Sequence, residues 1–485
     1  MLGVAPVTAE IKLDGRMGTP LWWAARAAWV LAEDDEEDRA TTRTRRASAV
    51  ELATLLIGKG ADVNAVGSNG ARNKSTPLWL AAKAMCFGTA GAAELATILV
   101  ENGADVNAVG VDEDGVSCTP LWMAAVAVQN GASGGLEFAK LLVAKLVEQG
   151  ADVNAVGTAG GASCTPLWLA AQAVCDGKTG GLELAKRLMA TRLIDVNAVG
   201  TGPHGVKGTP LWLVAKAVCD GEAGEAAGLE LATLLVERGA DVDAVGADGG
   251  DDESSSLLWA VLAACKGKEG WMELAMLLVE NGADVNTTGL VEFIEGTPLI
   301  LAATAVATGV PGAVELATVL VKNDADVNTV MVVPGNRSTT PLLLMAMAAA
   351  EGVEGAMELA TLLVEQGVDV NAVGTDISGT WGTSGTWGTP LWWAAEAVRD
   401  GKAGGPELAR LLISAGAHLA DNEKGQYQGV IDKLCVLSLT LKESTSASLT
   451  VSWPGGRPGA RGYTVSLSCQ AAPRCRACRS PPLHR

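Results

Sequence analysis

A four-residue motif, Thr-Pro-Leu-Trp in its commonest form, recurs along most of the chain and constrains the fold more than any other feature. Its prolines are Pro20, Pro77, Pro120, Pro166, Pro210, Pro298, Pro341 and Pro390, and a ninth copy reads SLLW with Leu257 in the proline's place. Successive copies lie 41 to 57 residues apart. Self-similarity at such a period predicts a stack of like units, and not the roughly three compact domains that 485 residues would otherwise suggest.

Each copy is predicted to form two short helices followed by a loop. In the second copy Pro77 occupies a first helical turn with Thr76 as its cap, which is the favoured arrangement. The run LWLAAKAM keeps helical spacing, and GTAG interrupts it. A second helix, AAELATILVEN, ends at Gly103, and a polar, glycine-rich loop follows.

The segments TPLWLAA and NGADVNAV resemble the ankyrin repeat, whose pattern is T-P-L-H-x-A-A, a second helix, and G-A-D-V-N-A. The resemblance implies an all-α fold, in which residues 17–420 form nine long repeats of a helix–turn–helix solenoid with projecting loops. The chain departs from the family pattern in its longer period and in Trp where the family has His. It also has Leu193 and Asp324 in place of the glycine that ends the second helix, where a side chain requires either left-handed backbone or a different helix ending.

The segments that flank the repeats are of a different kind. Residues 1–16 are interpreted as a leader and residues 421–435 as a linker. The string SLTVSWPGGRPGARGYTVSLS resembles the opening of a fibronectin type III domain, with Trp453 as the core Trp and Tyr463 in the next strand. Residues 436–485 are therefore expected to be a partial domain of this type with a short β-like or disordered basic tail.

The charge of the chain excludes several classes of partner. Residues 1–419 carry 27 basic and 51 acidic side chains, whereas the remainder carries nine and four. An acidic array repels phosphate backbones, so we expect no nucleic acid on the repeat region. Apolar runs such as Leu257 to Cys265 are shorter than the roughly 18 residues of a spanning helix, so no membrane contact is expected. The N-terminus lacks the features of a secretory signal, which predicts a cytoplasmic protein with reduced cysteines.

Three columns of identical residues are interpreted as structural. A Glu recurs near the start of every second helix. Its negative charge is expected to stabilise the positive end of the helix dipole, and this structural role is preferred to acid–base catalysis by paired carboxylates. The Trp row is expected to fill the seams between copies, and ligand stacking is the alternative. Cys86, Cys175 and Cys219 are expected to pack in the core. A four-thiolate zinc site in the tail, from Cys435, Cys469, Cys475 and Cys478, is a minority alternative.

One insert and the scarcity of histidine complete the survey of possible sites. The insert Glu33 to Arg46 has six acids and then four arginines, and it is expected to be a solvated, disordered loop, with a docking site as the alternative. Only His204, His418 and His484 exist, and no nucleophile accompanies them. We therefore expect a protein that is not an enzyme, with no catalytic residue, cofactor or metal.

Positions that vary between copies are the candidates for partner binding, because residues that hold the fold repeat. The sixth residue after each repeat proline varies, and so do the loop tips. The chosen candidates are Arg26, Lys83, Gln172, Lys216, Glu396, Asp112, Glu113 and Asp114. Replacing them is expected to leave stability almost unchanged.

These candidates predict a monomeric, non-catalytic scaffold that binds proteins through its concave face and loop tips. Its partner would carry a basic or mixed-charge patch. The alternatives are an adaptor that recruits a separate enzyme and a tethering array without one specific partner.

Overall fold

The computed structural model describes most of the repeat region. It covers residues 7–432 except for residues 14, 31–38, 69–72, 90, 150–151, 220–224, 251–252, 269, 292–293, 334–336, 376–386, 420–424 and 426, together with residues 449–453 and 463–467. Within this part of the chain, nine helix pairs follow one another, one pair for each copy of the motif.

The first helix of each copy begins at the repeat proline or, in one copy, at a serine. These helices are α1 Pro20–Val30, α3 Pro77–Cys86, α5 Pro120–Gln129, α7 Pro166–Cys175, α9 Pro210–Cys219, α11 Ser256–Cys265, α13 Pro298–Ala307, α15 Pro341–Glu351 and α17 Pro390–Arg399. In α3 the Thr76 hydroxyl accepts a hydrogen bond from the Trp79 amide, as a helix cap should. The predicted starts are therefore confirmed in the eight copies that carry the repeat proline.

The second helix of each copy packs against the first and against its counterparts in the neighbouring copies. These helices are α2 Arg39–Gly58, α4 Ala92–Glu101, α6 Gly135–Gln149, α8 Gly181–Met189, α10 Glu225–Glu237, α12 Trp271–Glu280, α14 Ala313–Lys322, α16 Ala356–Glu365 and α18 Gly405–Ser414. Seven of the nine repeated glutamates lie in the first turn, as predicted. Glu51 and Glu230 do not, because α2 and α10 begin at Arg39 and Glu225.

The loops between copies are β-hairpins, so the expectation of an all-α fold is wrong. The strands are β1 Ile11–Leu13, β2 Arg16–Gly18, β3 Gly67–Ser68, β4 Lys74–Ser75, β5 Gly110–Val111, β6 Ser117–Cys118, β7 Gly157–Ala159, β8 Ala162–Cys164, β9 Gly200–Thr201, β10 Val206–Gly208, β11 Val245–Asp248, β12 Glu253–Ser255, β13 Gly289–Val291, β14 Ile294–Gly296, β15 Met331–Val333, β16 Arg337–Thr339, β17 Gly374–Thr375, β18 Trp387–Gly388, β19 Leu449–Trp453 and β20 Tyr463–Leu467. The strands of the repeat region, β1 to β18, are two to four residues long, which is too short for their alternation to be recognised in a sequence.

Neighbouring hairpins join edge to edge into antiparallel sheets that run along the array. Strands β5 to β12 form one sheet of eight, and β1 to β4 and β13 to β16 form sheets of four. The links between hairpins are short, such as Ser117 with Thr158 and Glu295 with Val332. Because β1 and β2 belong to the first sheet, the predicted leader supplies one of its strands and the start of the next.

The ends of the predicted repeat region differ from expectation in two places. The basic half of the Glu33 to Arg46 insert is helical from Arg39, so it is not a loop, whereas Glu33 to Asp38 lie outside the described residues. Within the predicted linker, residues 427–432 are helical, and the side chains of Tyr427 and Ile431 are buried. This short helix therefore packs on the last copy.

In the tail, β19 pairs with β20, and Trp453 lies opposite Tyr463. The strand-like character predicted for this segment is thus present. Residues 433–448, 454–462 and 468–485 lie outside the described part of the chain, and so do the four cysteines of the possible zinc site.

Candidate functional site

The repeated tryptophans fill the seams between first helices and hairpins. Trp79 is 1% exposed, and its indole N–H donates to the Cys118 carbonyl at 3.1 Å. Trp122 and Trp168 make the same bond to the carbonyls of Cys164 and Gly208. Side chains buried and bonded in this way cannot stack a ligand, so the packing interpretation of these tryptophans is confirmed.

Each of these tryptophans lies against a hairpin glycine. A Cβ on Gly110 would come within 2.5 Å of the Trp79 ring, and one on Gly200 within 2.5 Å of Trp168. Real Cβ atoms essentially never approach so closely, so the strand must carry glycine wherever an indole fills the seam. The Trp and the glycine therefore form one packing unit, although 31 to 35 residues separate them.

The sixth copy corrects the predicted register of its motif. Helix α11 begins at Ser256, and its cap Ser255 accepts from the amide of Leu258. Leu258 therefore takes the Trp position, and Ser256 the proline position that was assigned to Leu257. Trp259 lies one residue further on and donates to the Ser254 hydroxyl at 2.8 Å. Its identity as a Trp, and not its place in the helix, led to the wrong alignment.

A column of asparagines, for which the sequence suggested no role, ties consecutive copies together. The Asn64 side chain accepts from the Asp105 amide at 2.7 Å and donates to the Gly103 carbonyl at 3.2 Å. Asn154 and Asn286 bridge their next copies in the same way. Recurrence of Asn in the ADVN block was the available signal, but its partners are backbone atoms about 40 residues away.

The residues that replace glycine near the ends of two second helices were predicted to need left-handed backbone or a different helix ending. Asp324 adopts left-handed backbone, with φ of 65°, whereas Leu193 follows a different ending. Its neighbour Arg192 takes that conformation instead, with φ of 56°. The Thr191 hydroxyl donates to the Leu188 carbonyl and accepts from the Leu193 amide, which shifts the turn by one residue.

Among the partner-binding candidates, Lys83 and Asp112 are buried against each other. The Lys83 ammonium lies 2.5 Å from an Asp112 carboxylate oxygen, and both side chains are less than 7% exposed. The other Asp112 oxygen accepts from the amides of Asp114 and Val116, so this carboxylate also shapes its hairpin. The expectation that these two positions are exposed is therefore wrong, and a buried pair of this kind is expected to matter for stability.

Arg26 and Lys216, at the same helical position as Lys83, also reach towards hairpin carboxylates. Arg26 is 7% exposed at its side chain and lies 3.5 Å from Glu113, which also contacts Arg16. Lys216 lies 3.2 Å from Asp248. The basic side chains at this variable position are thus used within the chain, to hold first helices to hairpins.

The remaining candidates are more accessible. Glu113 and Asp114 are exposed at a hairpin tip. Gln172 is half-buried and donates to Asp176 at 2.7 Å. Glu396 is half-buried and accepts hydrogen bonds from Arg399 and from the Tyr427 hydroxyl. The structure does not bring the eight candidates into one cluster, and whether any of them contacts a partner stays a prediction.

The six described cysteines pack in the core, and burial raises the pKa of four of them, Cys86, Cys118, Cys164 and Cys265. Burial raises the pKa of Cys118 to about 12 and that of Cys164 to about 11. Cys265 also has its pKa raised by burial to about 12, and its thiol points to the Leu301 carbonyl. Thiols of such high pKa are poor nucleophiles and poor metal ligands near neutral pH. In the part of the chain that the structure describes, no group of three possible ligands could hold a metal ion.

A row of exposed valines, which sequence reasoning also missed, follows the turns before the hairpins. Its members are Val66, Val109, Val156, Val199, Val245, Val330 and Val373, with exposed fractions between 46% and 59%. They occupy one position of the repeat, directly before the glycine of the seam or its replacement Met331. Thr288 takes this place in the sixth copy.

Comparison with known proteins supports the ankyrin resemblance over part of the chain. Residues 73–111 match the family model of the ankyrin repeat. No curated protein matches the chain. The crystal structure of EF0377, an ankyrin repeat protein, is 18% identical over 54% of this chain and 98% of that one, with a TM-score of 0.30.

The comparisons do not support the fibronectin type III resemblance of the tail. Among the described residues, no helix is both long enough and apolar enough to cross a bilayer. Residues 73–111 run from the start of β4 through α3 and α4 to β5, which is one helix pair with its flanking strands. This segment is therefore similar to the ankyrin repeat, and the other described copies share its pair of helices.

Proposed function

We propose that this chain is a non-catalytic, intracellular scaffold that binds other proteins along the hairpin edge of its repeat array. Ankyrin repeats generally mediate contacts between proteins, and one segment of this chain matches that family. The observation that carries the proposal is a division of labour within each copy. Repeated residues such as Trp79 and Asn64 are engaged in joining copies, whereas exposed hairpin residues such as Asp114 differ from copy to copy.

Charge supports the same surface and the kind of partner that it would take. The repeat region is strongly acidic, and exposed acids such as Asp114 and Glu253 lie on its hairpins. A partner with a basic or mixed-charge patch would be steered towards this edge, and its association would weaken as salt rises. An adaptor that recruits a separate enzyme would use the same surface, whereas a tethering array would need no specific one.

The test is affinity capture with the full-length chain, followed by direct binding of each purified protein that is retained. The hairpin variant carries Asp114→Lys and Glu253→Lys. The matched control carries Glu101→Lys and Glu280→Lys, which make the same charge change at exposed ends of the second helices α4 and α12. We expect the hairpin variant to lose its partners and the control to keep them.

Other outcomes would redirect the proposal. If both variants retain the same proteins with equal affinity, the hairpin edge is not the binding surface. If the unaltered chain retains no protein that binds it directly, a specific scaffold is excluded and the tethering array remains.

A further inference from the structure

The exposed valine row stands out because it breaks the usual pattern of a soluble surface. Single exposed apolar residues are common, but here one apolar side chain recurs at the same position in seven copies. The glycine or methionine that follows each valine is needed in the seam, whereas the valine itself points to solvent. Its recurrence therefore has no explanation in the packing of the array.

The asparagine column holds these valines in register. Asn154 bonds the Asp195 amide of the next copy, and Asn197 bonds the Asp241 amide of the copy after it, at 2.8 and 2.7 Å. Turns joined in this way stack directly upon one another, so Val156, Val199 and Val245 follow each other at one-copy intervals. Packed helices lie roughly 8–10 Å apart, which sets the spacing of the row.

A row of carboxylates accompanies the valines. Four residues before each position of the row stands an exposed aspartate, and one of its oxygens accepts the amide two residues on, as Asp105 does from Asn107 at 2.9 Å. These aspartates are Asp62, Asp105, Asp152, Asp195, Asp241, Asp284, Asp326 and Asp369. The same turns thus present apolar and negative side chains at a common interval.

This pattern selects one occupant. A polyproline II segment has three residues per turn and rises about 3.1 Å per residue, so one of its faces repeats every ~9.3 Å. That interval matches the roughly 8–10 Å step between copies. We propose that the row of valines and aspartates binds a basic polyproline II segment of a partner protein, with an apolar side chain at every third residue. This inference rests on the proposed function and names the chemistry of the partner.

The probe is a synthetic peptide of about five Val-Pro-Lys triplets, long enough to span five copies. Its affinity for the full-length chain is measured by fluorescence anisotropy. We expect binding that weakens strongly between about 0.1 M and about 1 M salt, where the Debye length falls from ~10 Å to ~3 Å. A peptide of Gly-Ser-Lys triplets has the same charge without the apolar face, and we expect it to bind at least about tenfold more weakly.

The valine variant carries Val109→Thr, Val156→Thr and Val199→Thr in one chain. Thr288 already occupies this position in the sixth copy, so the fold accepts the substitution. We expect the Val-Pro-Lys peptide to bind about tenfold more weakly to this variant. The control carries Leu52→Thr, Leu55→Thr and Val147→Thr, which remove equally exposed apolar groups from second helices, and it should bind like the unaltered chain.

The aspartate variant carries Asp105→Asn, Asp152→Asn and Asp195→Asn. Asparagine keeps the oxygen that accepts the amide of the turn, so the charge is removed while the loop geometry is kept. We expect weaker binding and a smaller dependence on salt.

Four outcomes would overturn the inference. Equal binding of the two peptides would show that charge alone acts, and unchanged affinity of the valine variant would exclude the row. The chain's own basic tail is the third possibility, tested with Arg474→Gln, Arg476→Gln and Arg479→Gln. If the peptide binds only this variant, the tail occupies the row and an external partner is excluded. If a natural partner binds the valine variant as tightly as the unaltered chain, this inference is refuted and the scaffold proposal is left intact.

Discussion

The second and seventh copies solve the same packing problem with different residues. In the second copy Trp79 lies over Gly110, and Lys83 pairs with the buried Asp112. In the seventh copy Ile300 takes the Trp position, and Met331, which is 2% exposed, takes the place of the glycine. The comparison teaches that a seam is specified by the combined volume of helix and hairpin side chains, and not by either residue alone.

The polar contacts between the first helix and the hairpin also differ between the two copies. Thr304 stands where the second copy has Lys83, and its hydroxyl bonds back to the Ile300 carbonyl of its own helix at 2.8 Å. The cap Thr297 bonds the Thr329 hydroxyl, whereas Thr76 bonds a helix amide. The seventh copy thus joins helix and hairpin without a buried charge at this position.

The largest effect should come from Trp79→Ala in the second copy. The change empties the seam and removes the hydrogen bond to Cys118, so we expect a loss of about 3–5 kcal/mol in the free energy of unfolding. The matched change in the seventh copy, Ile300→Ala, deletes less volume and should lose less. Denaturant titration followed by circular dichroism measures both, and a larger loss at Ile300 would contradict the packing account.

Lys83→Met should be nearly as damaging, because it leaves the Asp112 charge buried without its partner. We expect a loss of about 3–5 kcal/mol in the free energy of unfolding, partly recovered when Asp112→Asn is added. Lys216→Met provides the control. Its partner Asp248 has a side chain that is 56% exposed, so the loss should be within about 0–1 kcal/mol. Equal effects of the two Lys→Met changes would show that burial of the pair is unimportant.

The exchange of seam residues between the two copies gives a smaller, more specific effect. Trp79→Ile leaves a cavity and Gly110→Met alone clashes with the indole, so each change should destabilise the second copy. Together they reproduce the pair Ile300 and Met331. We expect the double variant to lose less free energy of unfolding than the sum of the two single losses, by about 0.5–3 kcal/mol. Simple additivity in a double-mutant cycle would mean that the two volumes are not coupled.

The smallest effect near neutral pH concerns Cys118, whose counterpart in the seventh copy is Thr339. Burial raises the pKa of Cys118 from 9.0 to about 12, so above pH 9 the unfolded chain ionises its thiol while the folded chain does not. This thiol's contribution to stability is therefore full below pH 9 and is lost as pH rises towards 12. Cys118→Ala should remove about 1.4 kcal/mol per pH unit from the decline above pH 9, measured by denaturant titration. An unchanged decline would show that the thiol is accessible to hydroxide.

Local features of the fold could be predicted from the sequence, and distant ones could not. The starts of α3 and its counterparts in the copies that carry the repeat proline depend on neighbouring residues such as Thr76 and Pro77, so they were correct. The resemblance implied projecting, hairpin-like loops, but the sheets that they form were missed because strands such as Gly110–Val111 are too short to show a period. The sixth copy was aligned on Trp259, so Leu258 was not recognised as the residue at the Trp position. The spacing of the cysteines indicates the correct register, because Cys265 lies nine residues after Ser256, as Cys86 does after Pro77.

The candidate site was harder to predict than the fold. Variation at Lys83 suggested a free surface, but its buried partner Asp112 is 29 residues away and invisible to local patterns. The exposed valines were missed because the local pattern around them suggests burial. A valine before glycine suggests a strand core, and only the burial of the glycine shows that Val109 faces outward.

The asparagine bridges also explain how such an array can change its length. Asn64 and its counterparts bond main-chain atoms of the next copy, and every residue except proline offers a main-chain amide. The acceptor Asn371 therefore bonds the amide of His418 as well as Asn328 bonds that of Asp369. After duplication or deletion of a copy, the newly adjacent copies could form the same hydrogen bonds without a compensating mutation in either of them. The ladder is thus a coupling that lets the gene gain or lose whole units while the rest of the stack keeps its register.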